Sequence, residues 1–345
     1  MLNMKSERKN NMLKVSTAPH FYSPVDTRSI MLNVIIALIP AGLAALVFFG
    51  LNALITIVTS VAGCVVMEYL SCRYWLKTSP TTSDLSAVIT GLLLAYNLPC
   101  NMPVWMTLIG CFVAIVVTKM AFGGIGKNIF NPALVGRVFL FISFPIQMTT
   151  WLKPKIFDFL NVDASTSATT LTLLKHIDSS TSATMLSDKA DGLPQYWDMF
   201  IGNIGGSMGE VSAAALLLGL LWMLYKKVIT WHIPFFYVGT FFVLNFIFWL
   251  YTDSQVFDPL TQILSGGLLL GAIFMATDYT TSPMSVNGKI FFAIGCGVLT
   301  FVIRNYSSYP EGVSFAILIM NAFVPLIDMT FHSRIFGTGK KQKEK

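Results

Sequence analysis

Residues 31–49 read MLNVIIALIPAGLAALVFF, and residues 53–71 read ALITIVTSVAGCVVMEYLS. Glu68 is the only charged side chain in either stretch. A helix that crosses the hydrocarbon core of a bilayer needs about 20 consecutive, mainly apolar residues, and each stretch approaches that length. The pair therefore predicts two membrane-spanning helices joined by a very short turn.

The composition extends this interpretation to the whole chain. Of 345 residues, 54% are hydrophobic and only 12% are charged, and the mean hydropathy is +0.66. Soluble domains usually contain about 25% charged residues, so a water-soluble fold and intrinsic disorder are both excluded. The net charge of +6 comes from basic residues at the termini and between apolar stretches, as in membrane proteins and not as in nucleic-acid-binding domains. The five scattered cysteines form no CxxC pair, which argues against a metal site and a disulfide framework.

The apolar stretches predict the fold class. They fall at 31–49, 53–71, 85–99, 103–122, 132–148, 211–226, 231–251, 260–277, 289–303 and 312–328. Several are shorter than a full span and contain Gly or Pro, which indicates tilted or broken helices that line a cavity. We predict an all-α integral membrane protein with about ten transmembrane helices.

Charge in the loops predicts the orientation. With a cytoplasmic N-terminus, seven Lys or Arg residues fall in the short inner loops and only Arg304 falls in the short outer loops. Such a positive-inside bias sets topology, so both termini are expected inside and the hydrophilic loop at 149–210 outside the cell (inner) membrane. The polar, basic N-terminal residues resemble no signal peptide.

The long outer loop divides the chain into two halves. We expect an N-terminal tail, a first five-helix repeat, the outer loop, a second five-helix repeat and a basic C-terminal tail, at 1–30, 31–148, 149–210, 211–328 and 329–345. Because five is odd, the second repeat runs opposite to the first, which makes the two repeats inverted.

A sequence similarity between the halves supports the repeats. Residues 86–99 read SAVITGLLLAYNLP and residues 262–278 read QILSGGLLLGAIFMATD, which aligns the GLLL segments that begin at Gly91 and Gly267. Inverted repeats with glycine-interrupted helices usually place a binding site near the membrane midplane. Chance recurrence in Leu-rich helices is the alternative.

The outer loop contains a doubled heptapeptide, DASTSAT at 163–169 and DSSTSAT at 178–184. Taken by composition alone, a Ser/Thr-rich linker is the simplest interpretation. The first copy and its continuation, DASTSATTLTLLK, nevertheless resemble the D-x-x-[ST]-[GST]-A-T-P-L signature of flavinylated subunits in the RnfD/NqrB family. Ser167 and Thr170 replace the usual Gly and Pro.

In that family the last Thr of the signature carries FMN through a phosphoester, and the corresponding residue here is Thr169. Thr184 in the second copy is the fallback, because the residues after it match less well. Asp163 would assist recognition or turn geometry. An exposed loop would give a flavin transferase access to the hydroxyl.

Five further blocks resemble the same family. They are KVSTAPH at 14–20, KMAFGGIGKNIFNPA at 119–133, GNIGGSMGEVS at 202–212, DYTTSP at 278–283 and RNYSSYPEGVSFAILIMNAFVPL at 304–326. The resemblance therefore covers nearly the whole chain. Its length favours the RnfD branch, since NqrB subunits usually carry a longer N-terminal extension.

The resemblance implies a subunit of a translocase that couples ferredoxin and NAD redox chemistry to Na⁺ or H⁺ movement and is not catalytic alone. It implies covalent FMN, a noncovalent riboflavin between the helices, the partner subunits RnfA, RnfB, RnfC, RnfE and RnfG, and the flavin transferase ApbE. It implies no catalytic residue and no resident metal in this chain. An NqrB-type subunit of a Na⁺-translocating NADH:quinone reductase, a urea-channel-like solute transporter and a scaffold with a non-functional flavin signature are the alternatives.

Charged residues within the apolar stretches form the remaining candidates. Glu68 and Arg137 lie deepest, where charges usually pair or face a polar cavity, and a pair between the two is one arrangement. Glu210 is expected to cap the helix that follows it, or to contact flavin or an ion. Other charges fall at predicted helix ends, from which side chains readily reach water: Asp278, Arg304, Glu311 and Asp328.

The glycine-rich stretch GGIGKN at 123–128 does not match a nucleotide-binding loop. It lacks the preceding strand and the GK[ST] ending of a P-loop. We predict a turn between two helices, with Asn131 and Pro132 starting the next helix. Within the family resemblance, the turn would line a flavin or partner surface.

Overall fold

The computed structural model describes residues 26–77, 81–154, 166–167, 169–172, 174, 195–252, 258–307, 309 and 311–331. The helices are α1 (Thr27–Leu70), α2 (Ser86–Tyr96), α3 (Val104–Phe112), α4 (Pro132–Ser143), α5 (Pro145–Met148), α6 (Tyr196–Ile201), α7 (Ala213–Tyr225), α8 (His232–Thr252), α9 (Pro259–Leu264), α10 (Leu268–Leu270), α11 (Val286–Tyr306) and α12 (Val313–Thr330). Three of them, α1, α3 and α10, continue as π-helical turns, over Ser71–Leu76, Val113–Met120 and Gly271–Met275.

Within the described ranges, four helices are long and apolar enough to cross a membrane by length and composition, namely α1, α8, α11 and α12. Leu43, Val58, Leu221 and Leu250 point outward and are each more than half exposed. Exposed Leu and Val in such number are unfavourable in water and suit contact with lipid chains. The fold is therefore that of an all-α membrane protein.

Helix α1 contains both of the first two apolar stretches. At Gly50 the backbone has φ 61° and ψ −138°, far outside the helical region, so the run is two spans that meet at a sharp bend. A residue with a side chain is strained at such a φ, which explains a glycine at this position. The apolar stretches at 31–49 and 53–71 meet at this bend.

Helix α2 ends inside the protein and not at its surface. The amide of Gly209 donates to the carbonyl of Tyr96 at 2.9 Å, and the amide of Met208 approaches the carbonyl of Leu98 at 3.5 Å. The non-helical segment around Gly209 is buried and satisfies carbonyls that a helix end leaves open. A Cβ on Gly209 would clash with the Cβ of Tyr96, so only glycine permits this approach.

The corresponding helix of the second half is interrupted. Helix α9 ends at Leu264, Gly266 has φ 68°, and α10 begins at Leu268. Irregular backbone at membrane depth is tolerated where it is enclosed by protein or lines a polar cavity. The prediction of broken helices is confirmed for this stretch, and the stretch at 132–148 also divides, between Ser143 and Pro145.

Polar side chains and small residues join the two halves. Asn131 caps α4 by accepting from the amides of Ala133 and Leu134, as predicted, and its Nδ2 donates to the carbonyl of Met275 at 3.2 Å. A Cβ on Gly219 of α7 would lie 2.5 Å from the carbonyl oxygen of Ala37 in α1. Small residues at such crossings let helix backbones approach closely in membrane proteins.

A two-stranded ladder attaches the outer loop to the helices. Strand β1 (Trp151–Leu152) pairs antiparallel with β2 (Thr166–Ser167), so that Trp151 faces Ser167 and Leu152 faces Thr166. Both β1 residues are buried. The ladder fixes the first heptapeptide copy close to the end of α5, and this positions Thr169.

Candidate functional site

Thr169 lies in a buried position at the start of a helical turn. Only 7% of the residue is exposed, and its Oγ1 accepts a hydrogen bond from the amide of Thr172 at 3.2 Å and lies 3.1 Å from Thr172 Oγ1. Leu171 and Leu174 anchor the turn by packing against Phe248 and Trp249. The expectation of a freely exposed attachment residue is therefore wrong, because the two leucines pull the segment against the helices.

Thr169 forms one wall of a small cleft between outer-loop residues and the second half of the chain. The other lining residues come from the turn after Thr169, the segment before α7, the α9–α10 break and the start of the α12 region: Thr170, Leu171, Ile204, Gly205, Gly206, Glu210, Val211, Gly266 and Glu311. The signature threonine and two buried or half-buried carboxylates thus share one small space.

Arg304 stabilises the helix break beside this cleft. Its Nη1 donates to the carbonyl of Gln262 at 2.6 Å and its Nη2 to the carbonyl of Ser265 at 3.3 Å, so it satisfies open carbonyls at the end of α9. The guanidinium also lies over the ring of Phe241, 5.0 Å from its centre. Only 3% of Arg304 is exposed, so the prediction that it reaches water is wrong.

Arg137 and Glu68 do not pair with each other. Arg137 in α4 forms an ion pair with Glu311 and donates through Nη1 to Ser314 Oγ at 2.7 Å. Glu68 forms a separate buried pair with Lys119, at 2.6 Å. The Glu68–Arg137 pair is therefore not formed, because Glu68 pairs with Lys119 and Arg137 pairs with Glu311.

Glu210 does not cap helix α7, contrary to the expectation from the sequence. Ser212 caps that helix by accepting from the amide of Ala215 at 3.3 Å. Glu210 Oε1 accepts instead from the amide of Ser207 at 3.2 Å, while Oε2 is buried and has no hydrogen-bond partner among the described residues. Oε2 faces the α9–α10 break, since it would lie 2.7 Å from a Cβ on Gly267.

A second polar cluster surrounds the Glu68–Lys119 pair. Lys119 Nζ also donates to Ser86 Oγ at 2.7 Å, and Thr81 Oγ1 donates to the other oxygen of Glu68 at 2.7 Å. Both carboxylate oxygens of Glu68 therefore have a partner, as a buried charge requires. Lys119 is the first residue of the sequence block at 119–133, but only the fold shows that it is the partner of Glu68.

Lys119 also borders a cavity of about 110 Å³. Its walls are mostly apolar, and its polar groups come from both halves. The glycine-rich stretch forms the predicted turn at its edge, with positive φ at Gly123, Gly124 and Gly126. Asn128 crosses to the second half by donating to Thr280 Oγ1 at 3.0 Å, and Thr280 donates to Asp278.

The two cavities differ in what they can hold. The cavity at Lys119 is lined mainly by apolar side chains, and Asn128 and Thr280 are among its polar groups, so its walls can contact a flat ring. The cleft at Thr169 is much smaller, so a group attached at Thr169 would lie mostly outside it. Asp163 and Thr184 lie outside the described residues.

Comparison with known proteins agrees over nearly the whole length. Residues 14–337 match the NQR2, RnfD, RnfE family. The chain is 43% identical over 338 residues to the D subunit of the Na⁺-translocating ferredoxin:NAD⁺ oxidoreductase complex of Acetobacterium woodii, and the match covers 96% of this chain and 98% of the relative. It is 42% identical over 335 residues to the D subunit of the proton-translocating ferredoxin:NAD⁺ oxidoreductase complex of Clostridium ljungdahlii, covering 97% and 99%.

A relative with lower identity is also a D subunit. The D subunit of the ion-translocating oxidoreductase complex of Escherichia coli is 32% identical over 351 residues, covering 95% of this chain and 99% of the relative. The matched residues include the blocks at 119–133 and 202–212 that build the two cavities. The chain therefore belongs to the NQR2, RnfD, RnfE family, and within it to the RnfD subunits.

Proposed function

We propose that this chain is the membrane-embedded RnfD subunit of an ion-translocating ferredoxin:NAD⁺ oxidoreductase complex and that it carries FMN through a phosphoester to Thr169. The full-length similarity to RnfD subunits supports the role in the complex. The position of Thr169 on the wall of a cleft that it shares with residues of the second half is the single observation that carries the attachment. A redox group held there would lie beside the α9–α10 break at Gly266 and beside Glu311.

Some groups around Thr169 would stabilise a phosphate, and others would oppose it. Thr169 Oγ1 already receives the amide of Thr172, which would also stabilise negative charge at the ester. Arg304 adjoins the cleft through Leu171 and Gly266, and it contributes a positive charge that two carboxylates on the same cleft oppose. The balance of these charges would set the potential of a flavin attached there.

The chain itself would hold and tune the cofactor and not act as an acid or base. Bound flavin supplies one- and two-electron redox chemistry, and the protein supplies position, charge and exclusion of water. Leu171 and Leu174 would keep the attachment segment against Phe248 and Trp249, which fixes one end of the flavin relative to the helices. The protein would be inactive alone, since the ferredoxin- and NAD-reactive sites belong to partner subunits.

A noncovalent riboflavin would occupy the larger cavity. Its mostly apolar walls suit the faces of an isoalloxazine ring. Asn128 and Thr280, which are hydrogen-bonded to each other across the two halves, would contact polar ring atoms. Removal of the amide by Asn128→Ala should lower the amount of acid-extractable riboflavin without affecting covalent FMN.

The topology is part of the proposal. Two inverted five-helix repeats, at 31–148 and 211–328, would span the cell (inner) membrane with both termini in the cytoplasm. The outer loop at 149–210 would lie on the opposite side, where covalent attachment prevents loss of the cofactor. A reporter enzyme that is active only outside the cytoplasm should then be active when it is fused near residue 180. Activity of a cytoplasmic reporter at the same position would reverse the orientation.

The partners follow from the same assignment. RnfA, RnfB, RnfC, RnfE and RnfG would assemble with this chain, and ApbE would transfer FMN to Thr169. Because Thr169 is buried, we expect the transfer to precede docking of the 169–174 segment or to require its release. An NqrB-type subunit is the second candidate, and reduction of a quinone by the isolated complex would favour it.

In-gel fluorescence tests the attachment. The protein is expressed with a flavin transferase, denatured, separated by electrophoresis and viewed under ultraviolet light. Wild type and Thr184→Ala should fluoresce, whereas Thr169→Ala should be dark at equal protein amount. If Thr169→Ala fluoresces and Thr184→Ala is dark, the attachment lies in the second heptapeptide copy. A dark wild type would support a scaffold or a transporter without flavin.

A further inference from the structure

A pocket bordered by two lysines lies where α7 leads into α8. Its lining includes Lys227 and Thr230 from the α7–α8 connection, Ser282 from the segment before α11, and Lys289 from the first turn of α11. The pocket measures about 180 Å³. Two ammonium groups and two hydroxyl groups therefore border a single space, which we call the lysine pocket.

The two lysines have no carboxylate to neutralise them. Within the described residues, neither takes part in an ion pair, and no Asp or Glu lines the pocket. Asp278 borders the cavity at Lys119 instead, where it accepts from the hydroxyls of Thr280 and Thr281 at 3.0 and 3.4 Å. Lys289 also lies at the positive end of the α11 dipole, which disfavours a lysine. An anion from outside the chain would relieve this excess of positive charge.

The neighbouring Lys226 has a different environment. Its Nζ lies over the rings of Trp222 and Tyr225, 5.2 and 5.7 Å from their centres, and Lys226 does not line the pocket. Lys227 has φ 54°, which turns the chain at the end of α7. Adjacent lysines thus have separate roles, one on aromatic rings and one at the pocket.

Aromatic residues place the lysine pocket at the depth of lipid head groups. Tyr225 at the end of α7 and Trp231 just before α8 are both more than half exposed. Tyr and Trp at helix ends mark the interface between membrane and water. Phe235, one turn into α8, is 63% exposed and suits contact with acyl chains. A polar pocket and a lipid-facing surface are therefore adjacent here.

We propose that the lysine pocket binds the phosphate group of an anionic phospholipid, with Lys227 and Lys289 as its charged contacts and Thr230 and Ser282 as hydroxyl donors. Ammonium groups form charge-assisted hydrogen bonds with phosphate oxygens. Basic pockets between transmembrane helices bind such head groups on the cytoplasmic side of membranes. A soluble phosphate offers the same oxygens, but it has no acyl chains to contact the exposed face of α8.

The bound lipid would join two segments that also form a wall of the cavity at Lys119. Val228, Thr277 and Tyr279 line both spaces, and the hydroxyl of Tyr279 donates to the carbonyl of Val228. A head group between Lys227 and Lys289 would therefore stabilise this wall from its outer side. The site uses only residues of this chain and does not depend on either flavin.

Thermal unfolding of the purified, delipidated full-length chain in detergent tests the site. The apparent Tm is measured against added phosphatidylglycerol, with phosphatidylcholine and inorganic phosphate as comparisons at constant ionic strength. A ligand that binds only the folded state raises Tm with concentration, so phosphatidylglycerol should stabilise the wild type more than either comparison does. The half-saturating concentration of phosphatidylglycerol then reports affinity.

Lysine variants provide matched tests in the same protein. Lys227→Asn keeps a residue type that tolerates a positive φ, and Lys289→Gln keeps a long polar side chain. Each should raise the half-saturating phosphatidylglycerol concentration by roughly fivefold, because each removes one cationic contact. Lys226→Gln is the control, since it removes the same charge one residue away from the pocket and should leave that concentration unchanged.

Three results would overturn the site. Equal stabilisation by phosphatidylglycerol and phosphatidylcholine would mean that only acyl chains matter. Equal stabilisation by inorganic phosphate would replace the lipid with a soluble anion. A loss of affinity in Lys226→Gln as large as in the two pocket variants would mean diffuse attraction to surface charge. Thr169→Ala separates this inference from the flavin assignment, since its response to phosphatidylglycerol should persist although no flavin is attached.

Discussion

The GLLL segment occurs twice in this protein, and the two copies have different roles. Gly91 lies inside the continuous helix α2, where a Cβ would be 2.7 Å from Cα of Val61, and Ser60 Oγ donates to its carbonyl at 2.8 Å. Gly267 precedes α10, where a Cβ would meet Glu210 Oε2 at 2.7 Å. The first glycine permits helix packing, and the second leaves room for a charged side chain.

The residues immediately before each copy explain the difference. Thr90 keeps α2 helical and donates to the carbonyl of Ser86, four residues earlier, at 3.0 Å. Gly266 at the equivalent position adopts φ 68°, a conformation that ends the helix. Thr90 thus precedes the GLLL segment of a continuous packing helix, whereas Gly266 precedes the GLLL segment at a helix break.

The largest expected difference in unfolding free energy comes from charged side chains near the starts of α2 and α10. Lys119→Met should lower the free energy of unfolding by about 3–5 kcal/mol, because it leaves Glu68 buried without its partner beside α2. Glu210→Gln, beside α10, should cost less than about 1.5 kcal/mol, since Oε2 has no partner to lose among the described residues. Denaturant unfolding of the purified variants measures both values.

A double variant checks that the cost comes from the unpaired charge. Glu68→Leu combined with Lys119→Met should recover most of the stability lost in Lys119→Met alone. Equal losses in the single and double variants would mean that packing and not charge dominates at this position.

The glycines themselves provide the second test. Gly91→Ala forces a Cβ against backbone atoms of α1 and should cost about 1–3 kcal/mol of unfolding free energy. Gly267→Ala meets the end of a flexible side chain, so we expect a smaller loss of stability. Similar stability losses in the two variants would contradict the division of roles.

The smallest expected effects come from exchanging the preceding residues. Gly266→Ala should cost about 1–2 kcal/mol because of its positive φ, and a Cβ there would meet Leu171 Cδ1 at 2.6 Å. Thr90→Gly should cost only about 0.3 kcal/mol through helix propensity, because threonine is itself a weak helix former. Amide hydrogen exchange of the 169–174 segment should increase only in Gly266→Ala, because only that variant displaces Leu171. An equal increase in both variants would rule out this contact as the cause.

The all-α membrane class could be predicted from the sequence because the low charge content and the longest apolar stretches exclude a soluble fold. The bend at Gly50, the cap at Asn131 and the broken helix at Gly266 all follow from residue types with strong backbone preferences. These signals are local. They depend on neighbouring residues and need no knowledge of which helices touch.

The partners of the buried charges could not be predicted in the same way. Glu68 pairs with Lys119 and Arg137 with Glu311, across 51 and 174 positions, and no local pattern specifies such distances along the chain. The burial of Thr169 depends on two leucines that contact α8, and the role of Glu210 depends on the break in another helix. Sequence reasoning identified these residues as candidates, but only packing decides what each one meets.

Mass spectrometry of the proteolytic peptide that spans residues 156–189 tests the proposed flavin attachment most directly. The complex is isolated from cells that contain a flavin transferase, and fragmentation locates any added mass on one residue. We predict that FMN is attached, with loss of water, at Thr169. A peptide without FMN, or with FMN confined to Thr184, would contradict this assignment.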